Sequence, residues 1–482
     1  IIPFFLFSAT AGQLADKLSK NRMIAVIKAV EILIMCLAGL GFHTQNLSLL
    51  LGAIFMMGVH SAFFGPLKYS ILPRHLKSDE LMGGNAIIES ATFLAILLGT
   101  LLGGALILRS FGIPVTSVVL VIVAAAGFTA SLWIPKAEAL DPNLKVDFNP
   151  LRQTYRLVKE AMSQRDLFLI ILGISWFWLI GVVFLSLAPS YVMDLLGGNA
   201  DVMTLILVVF SVGIGIGSFL SSKLLGNTPS ATYAPLAAVG VTLFAVDLWF
   251  ASPTQLLVSA GTLTIPEFLS HLSSWRILAD FTLIAIFGGL FVVPLYALMQ
   301  LHGEASKLSR IIAANNIVNA VFMVAGTMGS IVLMSLGMTI PHVFLVVAIL
   351  NAGIAVWVCK LLPDALLKSI FAAILKIFYK VRIEGIENLP RDERVIIVVN
   401  HVSFLDGMLL AAFLPGRLTF AVNTGIAKRW WAKIGLILVD AVSLDPTRPL
   451  AAKTLTRAVE AGRHVVIFPE GRITVTGALM KV

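Results

Sequence analysis

His401 and Asp406 stand five residues apart in the run Val398-Val399-Asn400-His401-Val402-Ser403-Phe404-Leu405-Asp406. A second polar break, Phe468-Pro469-Glu470-Gly471-Arg472, follows Val465-Val466-Ile467. Each run begins with β-branched residues, so each reads as a buried strand opening into polar residues at its C-terminal end, where open α/β sheets place ligands. An unperturbed imidazole titrates at about pH 6.5, which suits His401 to accept a proton from a hydroxyl as that hydroxyl attacks a thioester. A carboxylate on the same turn fixes the tautomer and stabilises the imidazolium, the part expected of Asp406. With the substrate's own alcohol as nucleophile, no covalent enzyme intermediate is required. Ser403 reads as a turn residue.

The elements that must position these residues are short. Residues 381–385 and 394–399 read as strands, 407–413 as the start of a helix, and 451–461 as an amphipathic helix before the strand at Val465. Together, 381–482 forms an α/β domain close to the minimum size for an independent core. Ahead of it, over 362–380, Leu366, Leu367, Ile370, Phe371, Ile374, Ile377 and Phe378 fall on one side at helical spacing, with Lys368, Lys376 and Lys380 on the other. That pattern predicts an interfacial amphipathic linker helix in the headgroup layer; a helix packed only on the following domain is the alternative.

Most of the chain belongs to a different solvent. Hydrophobic residues make up 58% and charged residues 13%, and the mean hydropathy of +0.95 excludes an ordinary soluble domain. Apolar runs of membrane-spanning length are expected at 1–15, 23–42, 48–67, 86–108, 114–134, 167–190, 202–222, 232–250, 275–299, 311–336 and 340–361. Basic residues occupy every second connection, among them Lys17, Lys20, Arg22, Lys68, Arg74, Lys136, Arg152, Lys223, Lys307 and Arg310. By the positive-inside rule that side is cytoplasmic, and everything after Leu361 falls on it. The net charge of +9 follows from the same bias, with added attraction to anionic lipid headgroups as the alternative. Because the cations are dispersed over loops, no nucleic-acid partner is expected. Cys36 and Cys359 both lie in expected spans and suggest neither a disulfide framework nor a metal site.

The membrane part repeats itself. The stretch Gly12-Gln13-Leu14-Ala15-Asp16-Lys17 has an echo in Gly217-Ser218-Phe219-Leu220-Ser221-Ser222-Lys223, with Ser221 where Asp16 would stand. Asn85-Ala86-Ile87-Ile88-Glu89 has another in Asn315-Asn316-Ile317-Val318-Asn319. Ionisable residues inside spans are costly and therefore functional candidates, with Glu89 beside Asn85 the strongest. Lys28 and Glu31, three apart, read as a self-neutralising pair. His60 reads as a helix-packing group, and Asp247, Arg276 and Asp280 as interface residues.

Two halves of six spans around a long charged loop, together with the Gly12 to Arg22 stretch and the run Gly99-Thr100-Leu101-Leu102-Gly103-Gly104, resemble the major facilitator superfamily. The resemblance implies an N-terminal half at 1–134 lacking its first helix, a cytoplasmic central loop at 135–166 and a C-terminal half at 167–361. It also implies a substrate path between the halves, with Asp16, Lys17, Asn85, Glu89, Asn315 and Asn319 as transport residues. The segment Phe64-Gly65-Pro66-Leu67-Lys68-Tyr69-Ser70-Ile71-Leu72-Pro73, with Gly84 to Glu89 and Phe93 to Thr100, resembles bacterial lysophospholipid transporters.

The two polar breaks together resemble the glycerolipid acyltransferase family. That likeness makes His401 and Asp406 catalytic and gives Asn400, Phe468, Pro469, Glu470, Gly471 and Arg472 to the glycerophosphate substrate, with Arg472 as the phosphate partner. Where the family has an Arg after a middle strand, this chain has Val439 to Asp445, and the next basic residue is Arg448. The expected fold class is therefore a membrane all-α major facilitator transporter without its first helix, then a cytoplasmic α/β acyltransferase domain truncated at its C-terminus.

The whole resembles bacterial fusions of a lysophospholipid transporter with a 2-acylglycerophosphoethanolamine acyltransferase. This implies inward movement of lysophospholipid, lysophosphatidylethanolamine above all, and O-acylation of its free hydroxyl in the bacterial inner membrane. The expected co-substrate is acyl-ACP or acyl-CoA, with acyl carrier protein a partner, membrane lipids the surroundings, and no bound cofactor or metal. The alternative is a drug or solute exporter of the same superfamily fused to a 1-acylglycerol-3-phosphate acyltransferase.

Overall fold

The computed structural model describes all residues except 108–109, 226–228, 254–261, 363–364, 386–387, 390–394, 404, 415–417, 424–439, 445–455, 458, 461–463, 471–472 and 475–482. The chain divides into two compact units, residues 1–231 with 237–355, and residues 356–482 with 232–236.

The first unit is helical. Its elements are α1 (Ile2–Lys17), α2 (Lys20–His43), α3 (Leu47–Ser70), α4 (Leu72–His75), α5 (Leu81–Ile107), α6 (Gly112–Ser131), α7 (Pro150–Ser163), α8 (Arg165–Ser190), α9 (Ala200–Leu225), α10 (Ala234–Ala251), α11 (Ile265–Leu269), α12 (Leu272–His302), α13 (Leu308–Ser335) and α14 (Ile340–Leu361). Among the described residues ten helices are long and apolar enough to cross a bilayer. With the 16-residue α1 they account for every expected span. Several overrun the apolar stretch, as α12 does with 31 residues, its last turn running through buried Gln300 to exposed His302.

Without a hydrophobic force between helices in lipid, close backbone approach has to hold them together. A Cβ on Gly217 would fall 2.0 Å from the Ile286 carbonyl oxygen, and one on Gly289 2.6 Å from that of Ile214, so α9 and α12 touch main chain to main chain. The same device joins the two halves. A Cβ on Gly12 of α1 would lie 2.7 Å from Ala313 Cβ of α13. The halves meet through α1 and α3 against α13, and through α5 against α9 and α12. Helix α7 starts at Asn149, whose side chain accepts a hydrogen bond from Arg152 N at 3.1 Å. It buries Gln153, Leu157 and Ala161 at a spacing of four, and it packs on both α1 and α13.

The second unit holds α15 (Ala365–Phe378), β1 (Ile396–Val398), α16 (Leu405–Phe413), β2 (Leu418–Asn423), β3 (Asp440–Leu444) and β4 (His464–Ile467). The sheet is parallel throughout, in the order β1-β4-β2-β3. No strand forms over 381–385. There Gly385, at φ +75°, turns the chain, and Asn388 N returns to its carbonyl at 3.0 Å. The helix expected over 451–461 lies mostly outside the described residues.

Helix α15 divides its apolar surface. Leu367 and Phe371 pack with Leu418, Phe420, Val466 and Ala411, and Ala372 and Leu375 are buried. Ile374 and Phe378 remain exposed. Lys368, expected on the polar side, is buried among the packed residues, seven before Leu375, and its Nζ donates to the Leu414 carbonyl at 3.3 Å. Lys376 sits 5.5 Å over the Phe413 ring, where burial holds its ammonium below the usual lysine range.

Candidate functional site

Register explains how residues distant in sequence meet in the sheet unit. Val398 of β1 pairs with Ile467 of β4, and Val399 N donates to the Ile467 carbonyl at 3.1 Å. The two polar breaks therefore emerge side by side at the C-terminal edge of the sheet. The His401 ring stacks on Phe468, with centroids 4.2 Å apart. Thr474 N donates to the His401 carbonyl at 2.7 Å, fixing the backbone from the other side.

Asp406, in the first turn of α16, lies 3.1 Å from His401 Nδ1 through Oδ2. The same oxygen accepts from Val402 N and Ser403 N, each at 2.8 Å. These backbone donors anchor the carboxylate, and a helix N-terminus favours its charge. With Nδ1–H directed at Asp406, the lone pair on Nε2 is left for a substrate proton. Ser403 Oγ accepts from Leu405 N at 3.1 Å, a turn-closing contact in line with its turn reading. Glu470 is half-buried, and neither carboxylate oxygen has a hydrogen-bond partner among the described residues. Pro469 is half-buried beside it and Asn400 is exposed. Gly471, Arg472 and Arg448 lie outside the described residues.

The helical unit holds a second polar cluster. Glu89 of α5 is fully buried. Tyr69 Oη donates to its Oε1, while Oε2 has no hydrogen-bond partner among the described residues. Tyr69 stacks flat on Tyr296 of α12 at 4.3 Å. Trp178 Nε1 donates to Tyr296 Oη at 3.1 Å, and Asn315 is buried beside that tyrosine. Lys68 Nζ lies 4.7 Å over the Tyr69 ring and donates to Thr92 Oγ1 at 3.1 Å. Asn85 and Gln300 bridge the halves with reciprocal bonds of 2.7 and 3.1 Å. Asn319 instead accepts from Ser175 Oγ at 2.7 Å, a tie within the C-terminal half.

Asp16 closes the basic end. Fully buried, it accepts from Ser309 N at 3.1 Å, Arg310 N at 3.3 Å and Arg310 Nε at 3.0 Å, so it caps the first turn of α13 from the opposite half. Lys20 joins it, its Nζ 2.6 Å from Ser309 Oγ and 3.7 Å from Asp16. Lys17 is outside this clasp, with no ion pair among the described residues. Lys17 is one residue on, about 100° further round the helix than Asp16, and half-buried, and Lys20 takes the buried position.

Sequence reasoning missed Lys20, Arg310 and Lys68 because each had already been counted as a loop cation, and missed Tyr69, Tyr296 and Gln300 because neutral residues in apolar runs carry no charge signal. Lys28 pairs with Glu31 at 2.8 Å as expected, and His60 Nε2 comes within 3.4 Å of the same carboxylate. Arg276 pairs with Asp247, and Asp280 is buried.

Comparison with known proteins gives both parts relatives. Residues 1–327 match the Major Facilitator Superfamily model, and residues 380–482 match the Acyltransferase model. The chain is 28% identical over 306 residues to the lysophospholipid transporter LplT of Klebsiella pneumoniae, spanning 63% of this chain and 70% of the relative. It is 27% identical over 303 residues to LplT of an Enterobacter species, spanning 62% and 69%. Among solved structures, the human organic anion transporter MFSD10 superposes with a TM-score of 0.57 at 13% identity, over 73% of this chain and 80% of that one. The Escherichia coli fucose:proton symporter gives 0.53 at 13%, over 73% and 87%. At these identities the structures establish the fold alone.

Proposed function

Because the chain belongs to the Major Facilitator Superfamily over residues 1–327 and carries an acyltransferase domain after it, we propose that it brings lysophospholipid inward and acylates it. The preferred substrate is lysophosphatidylethanolamine. The observation that carries this reading is the His401–Asp406 pair, seated at a parallel sheet edge in a chain whose membrane part is similar to lysophospholipid transporters.

In the acylation step the free glycerol hydroxyl attacks the carbonyl carbon of an acyl thioester. His401 Nε2 takes the hydroxyl proton as the new C–O bond forms, and Asp406 stabilises the resulting imidazolium. Collapse of the tetrahedral intermediate breaks the C–S bond, and the imidazolium returns its proton to the leaving thiolate. Asn400, Phe468, Pro469, Glu470, Gly471 and Arg472 hold the glycerophosphate. The donor is acyl carrier protein or coenzyme A thioester. No bound cofactor is needed for this chemistry.

The membrane step runs between the two halves, with Glu89, Asn85 and Asn315 on the path and Asp16 holding the basic end shut in this conformation. The basic-loop bias supports a bacterial inner-membrane protein with its acyltransferase domain in the cytoplasm. The exposed Ile374 and Phe378 on α15 support a linker helix touching the headgroup layer.

The test supplies labelled lysophosphatidylethanolamine outside cells that lack other reacylation routes and express the protein. Labelled diacyl lipid inside is the expected result. Normal uptake with no reacylation, together with strong acylation of lysophosphatidic acid, would overturn it in favour of a phosphatidic-acid-forming enzyme fused to an unrelated carrier.

A further inference from the structure

The connection between the halves lines an open-sided polar cavity of about 500 Å³ at the basic end of the helical unit. One wall is Gln13 of α1, another is Arg310 of α13, and the rest comes from 144–148 and the inner side of α7. Its volume falls within the range of ligand pockets, roughly 300–1,000 Å³. Four cations face it, Lys145, Arg152, Arg156 and Arg310, against the two carboxylates of Asp147 and Glu160.

Both carboxylates are engaged. Asp147 accepts from Asn149 N at 3.0 Å and Gln153 Nε2 at 2.7 Å and pairs with Arg152 at 3.3 Å. These contacts, the Asn149 N–H first, hold its carboxyl below the usual range, so it is ionised and its charge already used. Glu160 pairs with Lys307 at 3.3 Å. Arg310 is shared between Asp16 and Asp141. Lys145 and Arg156 make no ion pair within 4.0 Å among the described residues. The cavity is therefore a polar hollow with excess positive charge, in which Lys145 and Arg156 are uncommitted and the Arg310 guanidinium keeps Nη1 outside its bonds to Asp16, Asp141 and Ser306.

Paired guanidinium donors match the oxygen spacing of a phosphate group, and a lysine adds a point charge. We propose that this cavity binds a phosphate group, from an anionic lipid headgroup or from free phosphate, and that its occupancy holds the two halves closed on the basic side. The second part follows from where the walls are anchored. Thr154 Oγ1 of α7 donates to the Phe5 carbonyl of α1 at 3.0 Å, and Gln13 exchanges two hydrogen bonds with the Asp147 backbone, at 3.2 and 3.0 Å. Arg310 belongs to the other half. An anion gripped by Arg156 and Arg310 together would cross-link α7, and through it α1, to α13. A ligand that binds this conformer better than an opened one shifts the population toward it.

The experiment follows backbone hydrogen exchange over 144–160 in the full chain reconstituted in nanodiscs. Phosphatidylcholine alone is compared with phosphatidylcholine plus phosphatidylglycerol, and with phosphatidylcholine plus saturating inorganic phosphate. Exchange is expected to slow about tenfold with the proper source, a shift of about 1.4 kcal/mol. Slowing by phosphatidylglycerol alone identifies a lipid headgroup, and slowing by inorganic phosphate identifies a free anion. The Lys145→Gln, Arg156→Gln double variant should exchange like the parent in phosphatidylcholine alone and lose the added protection. No slowing from either source, or equal slowing in the double variant, would overturn the proposal.

Discussion

Asp406 in the sheet unit and Glu89 in the helical unit are both carboxylates at candidate sites, yet they are satisfied in opposite ways. Asp406 Oδ2 takes two backbone N–H groups and the His401 ring. Glu89 has one tyrosine hydroxyl on one oxygen and nothing hydrogen-bonded to the other among the described residues. A carboxylate so fully engaged is a positioning group, whose charge is spent on orienting its partner. A buried carboxylate left half-engaged retains binding capacity, and in an apolar span that capacity is costly to keep without a use. Asp16 shows that the membrane unit can saturate a buried carboxylate when only closure is required.

The largest expected effect breaks the sheet site outright. His401→Ala should lower acyl transfer by about 10²–10⁴, the usual contribution of a general base, with lysolipid uptake unchanged. A fall of only twofold, read from single-turnover acylation, would remove the base from the mechanism. Asp406→Asn should cost less, about 10²-fold. The Asn oxygen still accepts from Val402 N and Ser403 N, while the charge that stabilises imidazolium is gone. An unchanged rate in this variant would mean that the charge of Asp406 is not used, and the comparison with Glu89 fails.

Glu89→Gln sharpens the other side. The amide still accepts from Tyr69 but loses the charge, so uptake into reconstituted vesicles should fall about tenfold while acylation of supplied lysolipid stays intact. Unchanged uptake would make Glu89 a structural residue. The smallest effect is expected at Ser221, the counterpart of Asp16 in the sequence repeat. Its buried hydroxyl has no hydrogen-bond partner among the described residues, so Ser221→Ala should change thermal stability by less than about 0.5 kcal/mol. A large loss there would mean that the second half has a clasp of its own.

The spans, the break into a second domain and the His401–Asp406 pair were legible from residue order. Each rests on a local property: apolar content summed over one helix length, a change in composition, or two groups on a single turn. Helix α15 was legible only as an amphipathic pattern. Its period identifies a stripe but not what covers it, and packing against the sheet, not side-chain type, put Lys368 inside. The 381–385 segment misled because an extended, β-branched run needs a neighbour to become a strand, and Gly385 turns the chain away.

Sequence by itself determined that this is a multi-span membrane chain followed by an α/β domain with a His–Asp pair on one turn, because solvent preference and short-range geometry are written residue by residue. Tertiary structure alone decided which residues meet across the halves. Asp16 finds Arg310 and Asn85 finds Gln300 only because glycine contacts bring α1 against α13 and the fold sets α5 beside α12. Such pairings depend on helix approach over long sequence separations, where a polar residue has many possible partners and only the packed fold selects one.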